Sequence, residues 1–202
     1  MVDGKKIPTK KENVILVDCD GVLCNWEYAF TQFMHHKGFP TLDTAEYNVG
    51  TRFGFTREQG HTFVEEFNAS AAIAFLPPLR DSVYYMKRLH MLHGFQFHCI
   101  TSLSKSKYAQ KLRTQNLELL FGKDLWEDFT YLPCGADKDN VLQEFKDTGC
   151  FWIEDKPKNA EVGKELGLNS ILVAHEHNAG YKGDVPRFWK WKHIYKHIIG
   201  EL

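Results

Sequence analysis

Short apolar runs alternate with stretches of helical period along this chain. Val14-Ile15-Leu16-Val17 is unbroken by any polar residue, and comparable runs lie at about 95 to 100, 129 to 132, 151 to 154 and 170 to 173. Runs that short predict strands. Between them, helical spacing predicts helices from about 26, over 80 to 92, 106 to 120, 138 to 146 and 158 to 166. Leu79, Val83, Met86, Leu89 and Leu92 show the period most clearly, and Pro77-Pro78 closes the segment before them. Strands separated by helices of this length pair in parallel through right-handed crossovers, so the predicted class is α/β with a central parallel sheet.

Residues 27–76 interrupt this rhythm with helical pattern alone, and Phe63, Val64 and Phe67 fall on one helical face there. The expected organisation is a core of residues 1–26 and 77–202 with a small helical insertion, residues 27–76. From Pro186 to Ile199 the tail carries Phe188, Trp189, Trp191, Ile194, Tyr195 and Ile198, which predicts a terminal helix docked on the core. At 202 residues the chain suits one domain with an insertion better than two independent ones.

The strands end on polar residues. The first run stops at Asp18-Cys19-Asp20-Gly21; the second ends on Thr101-Ser102; Lys138 sits in the turn-like Gly135-Ala136-Asp137-Lys138-Asp139; Phe151-Trp152-Ile153 ends on Glu154-Asp155. In an open parallel sheet, ligands bind beyond the carboxyl ends of the strands. With a strand's period of two, Asp18 and Asp20 point to one side, where two carboxylates cannot cheaply both be ionised and bare. A bound cation, a shared proton or paired acid and base roles would each resolve that, and an Asx-turn or helix cap is the structural alternative. Taken singly, Thr101-Ser102 reads as a helix cap and Lys138 as a solvated lysine.

The 43% hydrophobic content supports a real core, and a formal net charge of −1 provides no general footprint for nucleic acid or an anionic membrane. No apolar run approaches the roughly 20 residues that span a bilayer, and the lysine-rich start lacks the apolar core of a secretion signal, so a cytoplasmic protein is expected. Five cysteines without a Cys-x-x-Cys pair fit that expectation as free thiols, most of them buried. His175-Glu176-His177 has no further His or Cys nearby to complete a zinc site and reads as a loop edge.

The order of the four polar clusters resembles the haloacid dehalogenase (HAD) superfamily of phosphohydrolases, with its DxDG(V/T) first motif, Thr/Ser second motif, lone lysine and paired-acid fourth motif. The resemblance implies a HAD-like Rossmannoid three-layer sandwich with a small helical cap inserted after the first strand. It also implies hydrolysis of a phosphomonoester through an aspartyl-phosphate on Asp18, with Asp20 as acid and then base. Thr101, Ser102, Lys138 and Lys105 would bind phosphate, and Mg²⁺ would be held by Asp18, the Asp20 carbonyl and Asp155, with Glu154 in direct or water-mediated contact. Many relatives carry Asp-Asp where this chain has Glu154-Asp155.

Asp18-Cys19-Asp20-Gly21-Val22-Leu23-Cys24-Asn25-Trp26, Thr101-Ser102-Leu103-Ser104-Lys105, Asp137-Lys138 and Ile153-Glu154-Asp155-Lys156 are most similar to the 5'(3')-deoxyribonucleotidases, whose versions run DxDGVLADF, TSPxK, RDK and IDDR. That likeness implies a nucleoside monophosphate substrate, with Trp26 and a cap cluster around Tyr47, Val49 and Ile73 against the base. Asn48 departs from the aromatic expected there, and packing of cap on core is the structural alternative for Trp26 and Tyr47. Rival readings are a phosphatase for a sugar phosphate or other small phosphomonoester, a catalytically silent binding module, and action on nucleic-acid ends. The expected partner is a small molecule rather than a nucleic acid polymer or a membrane; a homodimer stays open.

Overall fold

The computed structural model describes residues 13–42 and 48–202. Six strands form one parallel sheet in the order β3-β2-β1-β4-β5-β6. These are β1 (Val14–Val17), β2 (Gln96–Leu103), β3 (Trp126–Pro133), β4 (Phe151–Glu154), β5 (Asn169–Val173) and β6 (Arg187–Phe188). The order reverses between β1 and β4, and open α/β sheets bind ligands beyond the carboxyl ends of the strands at such a switch.

β1 is apolar throughout because both its faces are covered. Ile15 and Val17 belong to one hydrophobic cluster, with Phe97, Cys99, Leu117 and Ile153; Val14 and Leu16 belong to another, with Ile100, Leu142 and Trp152. The helices that cover these faces include α4 (Ser82–His93), α5 (Lys107–Phe121), α6 (Asp139–Leu142), α7 (Pro157–Glu165) and α8 (Trp191–Ile198). Three differences from the sequence reading have local causes. The expected helix over 138 to 146 is four residues of α6 followed by a 3₁₀ turn, Gln143–Phe145. The edge strand β3 begins three residues earlier than its apolar run, with Glu127 and Asp128 exposed. The tail adds the two-residue strand β6 before its helix.

The insertion between β1 and α4 holds α1 (Trp26–His36), α2 (Val49–Arg52), α3 (Arg57–Ala69) and a 3₁₀ turn, Ala71–Phe75. A capping box between Thr56 and Gln59 starts α3. α2 and α3 touch so closely that a Cβ on Gly60 would lie 2.5 Å from the Gly50 Cα, so that contact requires glycine. Entry and exit of the insertion are paired to each other: Asn25 N–H donates to the Pro77 carbonyl at 2.8 Å and Leu79 N–H to the Leu23 carbonyl at 2.7 Å. Behind that junction Trp191 of α8 donates its indole N–H to the Val22 carbonyl at 2.9 Å, so the tail helix buttresses the loop after β1. Among the described residues, no helix is long and apolar enough to cross a membrane.

Candidate active site

The loop after β1 is wound around one carbonyl: the main-chain N–H groups of Val22, Leu23 and Cys24 all point at the Cys19 oxygen. Gly21 takes φ +75°, and a Cβ there would lie 2.6 Å from Asp155 Oδ2. Glycine therefore permits both the turn and the approach of the β4 acids to the β1 loop. Asp18 is buried; its Oδ1 accepts from the Cys19 N–H at 2.7 Å, and its Oδ2 pairs with Lys138 Nζ at 2.8 Å. Burial raises its carboxyl to about 7, with Glu154 and Asp20 adding to the rise and Lys138 opposing it. Asp20 is more open, its side chain 24% exposed, and burial lifts it to about 6 against the pull of Arg113.

Lys138, from the loop before α6, lies between two acids, 2.8 Å from Asp18 Oδ2 and 2.8 Å from Glu154 Oε2. Burial works against its charge, but those two carboxylates raise it above the ordinary lysine range, so the ammonium persists. Glu154 is fully buried and accepts four hydrogen bonds. Oε1 takes the N–H groups of Asp155 at 2.9 Å and Lys156 at 3.1 Å; Oε2 takes Lys138 and, at 2.9 Å, Asn159 Nδ2. Burial opposes its ionisation, yet Lys138 and these donors hold it down to about 2. Asp155 is the converse, pushed well above the usual carboxylate range by burial and by the charge of Glu154.

Thr101 and Ser102 lie on β2 just beyond Cys99, which is paired with Val17. The Thr101 hydroxyl is buried without a hydrogen-bond partner, an orphan that calls for an oxygen ligand. Ser102 donates its hydroxyl to the Ala136 carbonyl at 3.2 Å, which ties β2 to the Lys138 loop, while Lys105 stands exposed at the bend before α5. Asp18, Glu154 and Asp155 offer oxygens all within 4.8 Å of one another. Oxygens on opposite sides of Mg²⁺ are about 4 Å apart, so a hard cation fits this set. The charge balance agrees: Lys138 pairs with Asp18 and Glu154 and Arg113 with Asp20, while Asp155 has the His177 ring 3.4 Å from its Oδ2. Because Glu154 is already saturated with donors, Asp18 and Asp155 are the carboxylates with lone pairs to spare.

Several supporting residues escaped sequence reasoning. Arg113 of α5 is wholly buried and reaches Asp20 Oδ1 at 2.5 Å. His175 donates Nε2–H to the Gly21 carbonyl at 2.6 Å, and burial lowers its pKa to about 4, so the ring is neutral. His177 stacks on it, ring centroids 5.2 Å apart, and reaches the Asp155 carbonyl at 3.1 Å; Asn178 Nδ2 donates to the same carbonyl at 2.8 Å. The His-Glu-His stretch thus braces the two main-chain segments that carry the acids. An arginine on the buried stripe of α5 with Ala109, Asn116 and Leu117 was the one available signal.

Of the expected base-contacting residues, Tyr47 lies outside the described residues. Trp26 stacks on Phe30 at 4.8 Å and 7°, meets Phe67 edge-on and donates its indole N–H to Asn68 Oδ1 at 2.9 Å. Asn68 in turn donates to Cys134 Sγ at 3.8 Å, on the core loop that leads to Lys138. Val49 begins α2 and is half-buried, and Ile73 is completely buried in the main hydrophobic cluster. All five cysteines are free, and only Cys134 is less than buried.

The sheet order and the insertion after β1 give an α/β fold of the HAD-like kind. Among solved structures, a haloacid dehalogenase-like family hydrolase from Streptococcus pneumoniae matches with a TM-score of 0.62 at 14% identity, covering 94% of this chain and 100% of that one. The HAD hydrolase YfnB of Bacillus subtilis, bound to magnesium, matches at 0.56 with 14% identity over 93% and 98% of the two chains. The D,D-heptose 1,7-bisphosphate phosphatase of Burkholderia thailandensis matches at 0.55 with 10% identity over 93% and 98%. No protein-family model matches the chain. A curated relative, an uncharacterised 32.4 kDa protein from the Gp30-rIII intergenic region of Enterobacteria phage T4, is 28% identical over 163 residues, 75% of this chain. The chain spans 57% of that relative's length.

Proposed function

We propose that this protein is a Mg²⁺-dependent phosphomonoester hydrolase that works through an aspartyl-phosphate on Asp18, with nucleoside monophosphates as substrates. The observation that supports the reading is the convergence of Asp18, Lys138, Glu154 and Asp155 at the switch in strand order, with Thr101, its buried hydroxyl unpartnered, on the neighbouring β2. Phosphate monoesters resist attack because the dianion repels a nucleophile, and cations with aligned donors remove that barrier. Asp18 and Asp155 would hold Mg²⁺, which when bound supplies charge neutralisation at the phosphoryl oxygens. A carboxylate oxygen of Asp18 attacks phosphorus, the ester P–O bond breaks, and Asp20 delivers its proton to the departing alkoxide. Water then attacks the acyl-phosphate, Asp20 takes the water proton, and phosphate leaves with Asp18 regenerated. Lys138 favours the ionised form of Asp18 against the burial that opposes it, and Thr101 donates to a phosphoryl oxygen. The helical insertion serves as a cap, with Trp26 and Asn68 at the seam between cap and core.

The nucleotide preference rests on the motif resemblance. A second reading, a sugar phosphate or other small phosphomonoester, is favoured by Trp26, whose ring is already engaged by Phe30 and Phe67 within the insertion. A phosphate-release screen over deoxyribo- and ribonucleoside monophosphates and sugar phosphates, with and without Mg²⁺, decides between them. Asp18→Asn should abolish turnover in a folded protein, and undiminished turnover in that variant would refute the mechanism.

A further inference from the structure

Arg113 is a costly residue to keep where it lies. Its side chain is wholly buried among the residues of α5 that face the sheet, and taking a guanidinium out of water costs several kcal/mol. An aliphatic side chain of similar volume at such a position is often neutral or stabilising. The return on stability is poor: among the described residues Nη1 has Asp20 Oδ1 at 2.5 Å and the Cys19 sulfur, while Nε and Nη2 are buried without partners. Cys19 separates Asp18 from Asp20, so the guanidinium lies against the loop at the point where the two aspartates diverge. The Asp20 side chain is otherwise 24% exposed and would be free to choose among rotamers.

We infer that Arg113 is a positioning residue that clamps Asp20 by Oδ1, fixing its rotamer and confining the transferable proton to Oδ2. This rests on the reading of Asp20 as the acid and base of the proposed reaction. An unclamped Asp20 could turn toward solvent, and a misplacement of about 1 Å in a proton donor can cost roughly 100-fold in rate. The clamp must also outlast both half-reactions, since the same carboxyl protonates the alkoxide and later takes a proton from water. Arginine suits that task because its rigid planar fork stays charged at any working pH, whereas a lysine reaches with a single flexible point charge.

Leaving-group dependence separates positioning from mere support of the fold. An alkoxide needs the proton from Asp20 as it departs; p-nitrophenolate leaves without one. Arg113→Met should lower kcat on a nucleoside or sugar monophosphate about 100-fold or more, and steady-state p-nitrophenyl phosphate turnover should fall as well because dephosphorylation needs the base. The pre-steady-state burst of p-nitrophenolate should persist. In an Asp20→Asn background, Arg113→Met should add no further loss. Should Arg113→Met fail to fold, Arg113→Lys carries the same test, since it keeps the buried charge but not the fork, and partial loss on alkyl esters with an intact burst is expected. Loss of the burst in parallel with alkyl turnover, full alkyl activity in either variant, or an additive effect on Asp20→Asn would overturn the inference. Failure of the wild-type protein to release phosphate from any ester would instead overturn the proposed reaction.

Discussion

Gly21→Ala offers a sharp test of how the site is assembled, because the two costs it carries can be separated. The residue sits at φ +75°, where a side chain costs about 1–2 kcal/mol, and its new Cβ would lie 2.6 Å from Asp155 Oδ2 and 2.9 Å from Cγ, roughly 1 Å inside ordinary contact. The Asp155 main chain has little room to yield. Its N–H is held by Glu154 and its carbonyl by Asn178 and His177, so the carboxylate itself must swing. Gly94 is the control: it has φ +71° and nothing within 4 Å of a built Cβ, so Gly94→Ala carries the backbone strain alone. Chemical denaturation should show a loss of about 1–2 kcal/mol for Gly94→Ala with normal phosphate release. Gly21→Ala should lose at least as much stability, about 100-fold in kcat/KM, and require about tenfold more Mg²⁺ for half-maximal rate. If the two variants match in activity and in Mg²⁺ requirement, Asp155 is either not crowded against the loop or not a ligand, and the assembly of the site argued above is wrong.

The paired acids should respond in opposite directions in thermal melts of the Mg²⁺-free protein. Asp155→Asn removes a carboxylate that burial and Glu154 disfavour, so Tm should rise while stabilisation by added Mg²⁺ disappears. Glu154→Gln turns an amide NH₂ toward two existing donors in either orientation and strips Lys138 of one partner, so Tm should fall by the equivalent of about 3–5 kcal/mol; the reverse order would refute the division of labour between anchor and ligand. His175 ordinarily titrates near 6.5 and is held at about 4, so below 6.5 the unfolded chain binds a proton that the native chain refuses. Stability therefore falls as pH drops through that window, by about 2 kcal/mol between pH 7 and pH 5, and His175→Gln should erase that increment in denaturation curves at the two pH values. An unchanged pH dependence in the variant would mean that His175 is not the neutral donor to Gly21.

The α/β class, the strand positions and the acids at their ends were legible in the sequence because each depends on short-range pattern. Four apolar residues with no polar alternation, as at Val14–Val17, report burial on both faces whatever the neighbouring strands are. A strand that runs into Asp18-Cys19-Asp20-Gly21 reports a polar loop with a glycine-dependent turn. Local pattern was less informative where secondary structure owes little to propensity: β6 is two residues long and exists because β5 offers an edge, and the helix expected near Lys138 is cut short as the chain tightens into a 3₁₀ turn. The partners that give the acids their separate characters were hidden altogether. Arg113 meets Asp20 across 93 positions and His175 meets Gly21 across 154, and no window along the chain contains both members of either pair. Glu154 and Asp155 are adjacent carboxylates that the sequence alone does not tell apart; the packing of Lys138 and Asn159 against one, and of a crowded glycine against the other, saturates the first with donors and leaves the second with few. Charge, burial and hydrogen-bond saturation are properties of the assembled site, and only the tertiary structure decides them.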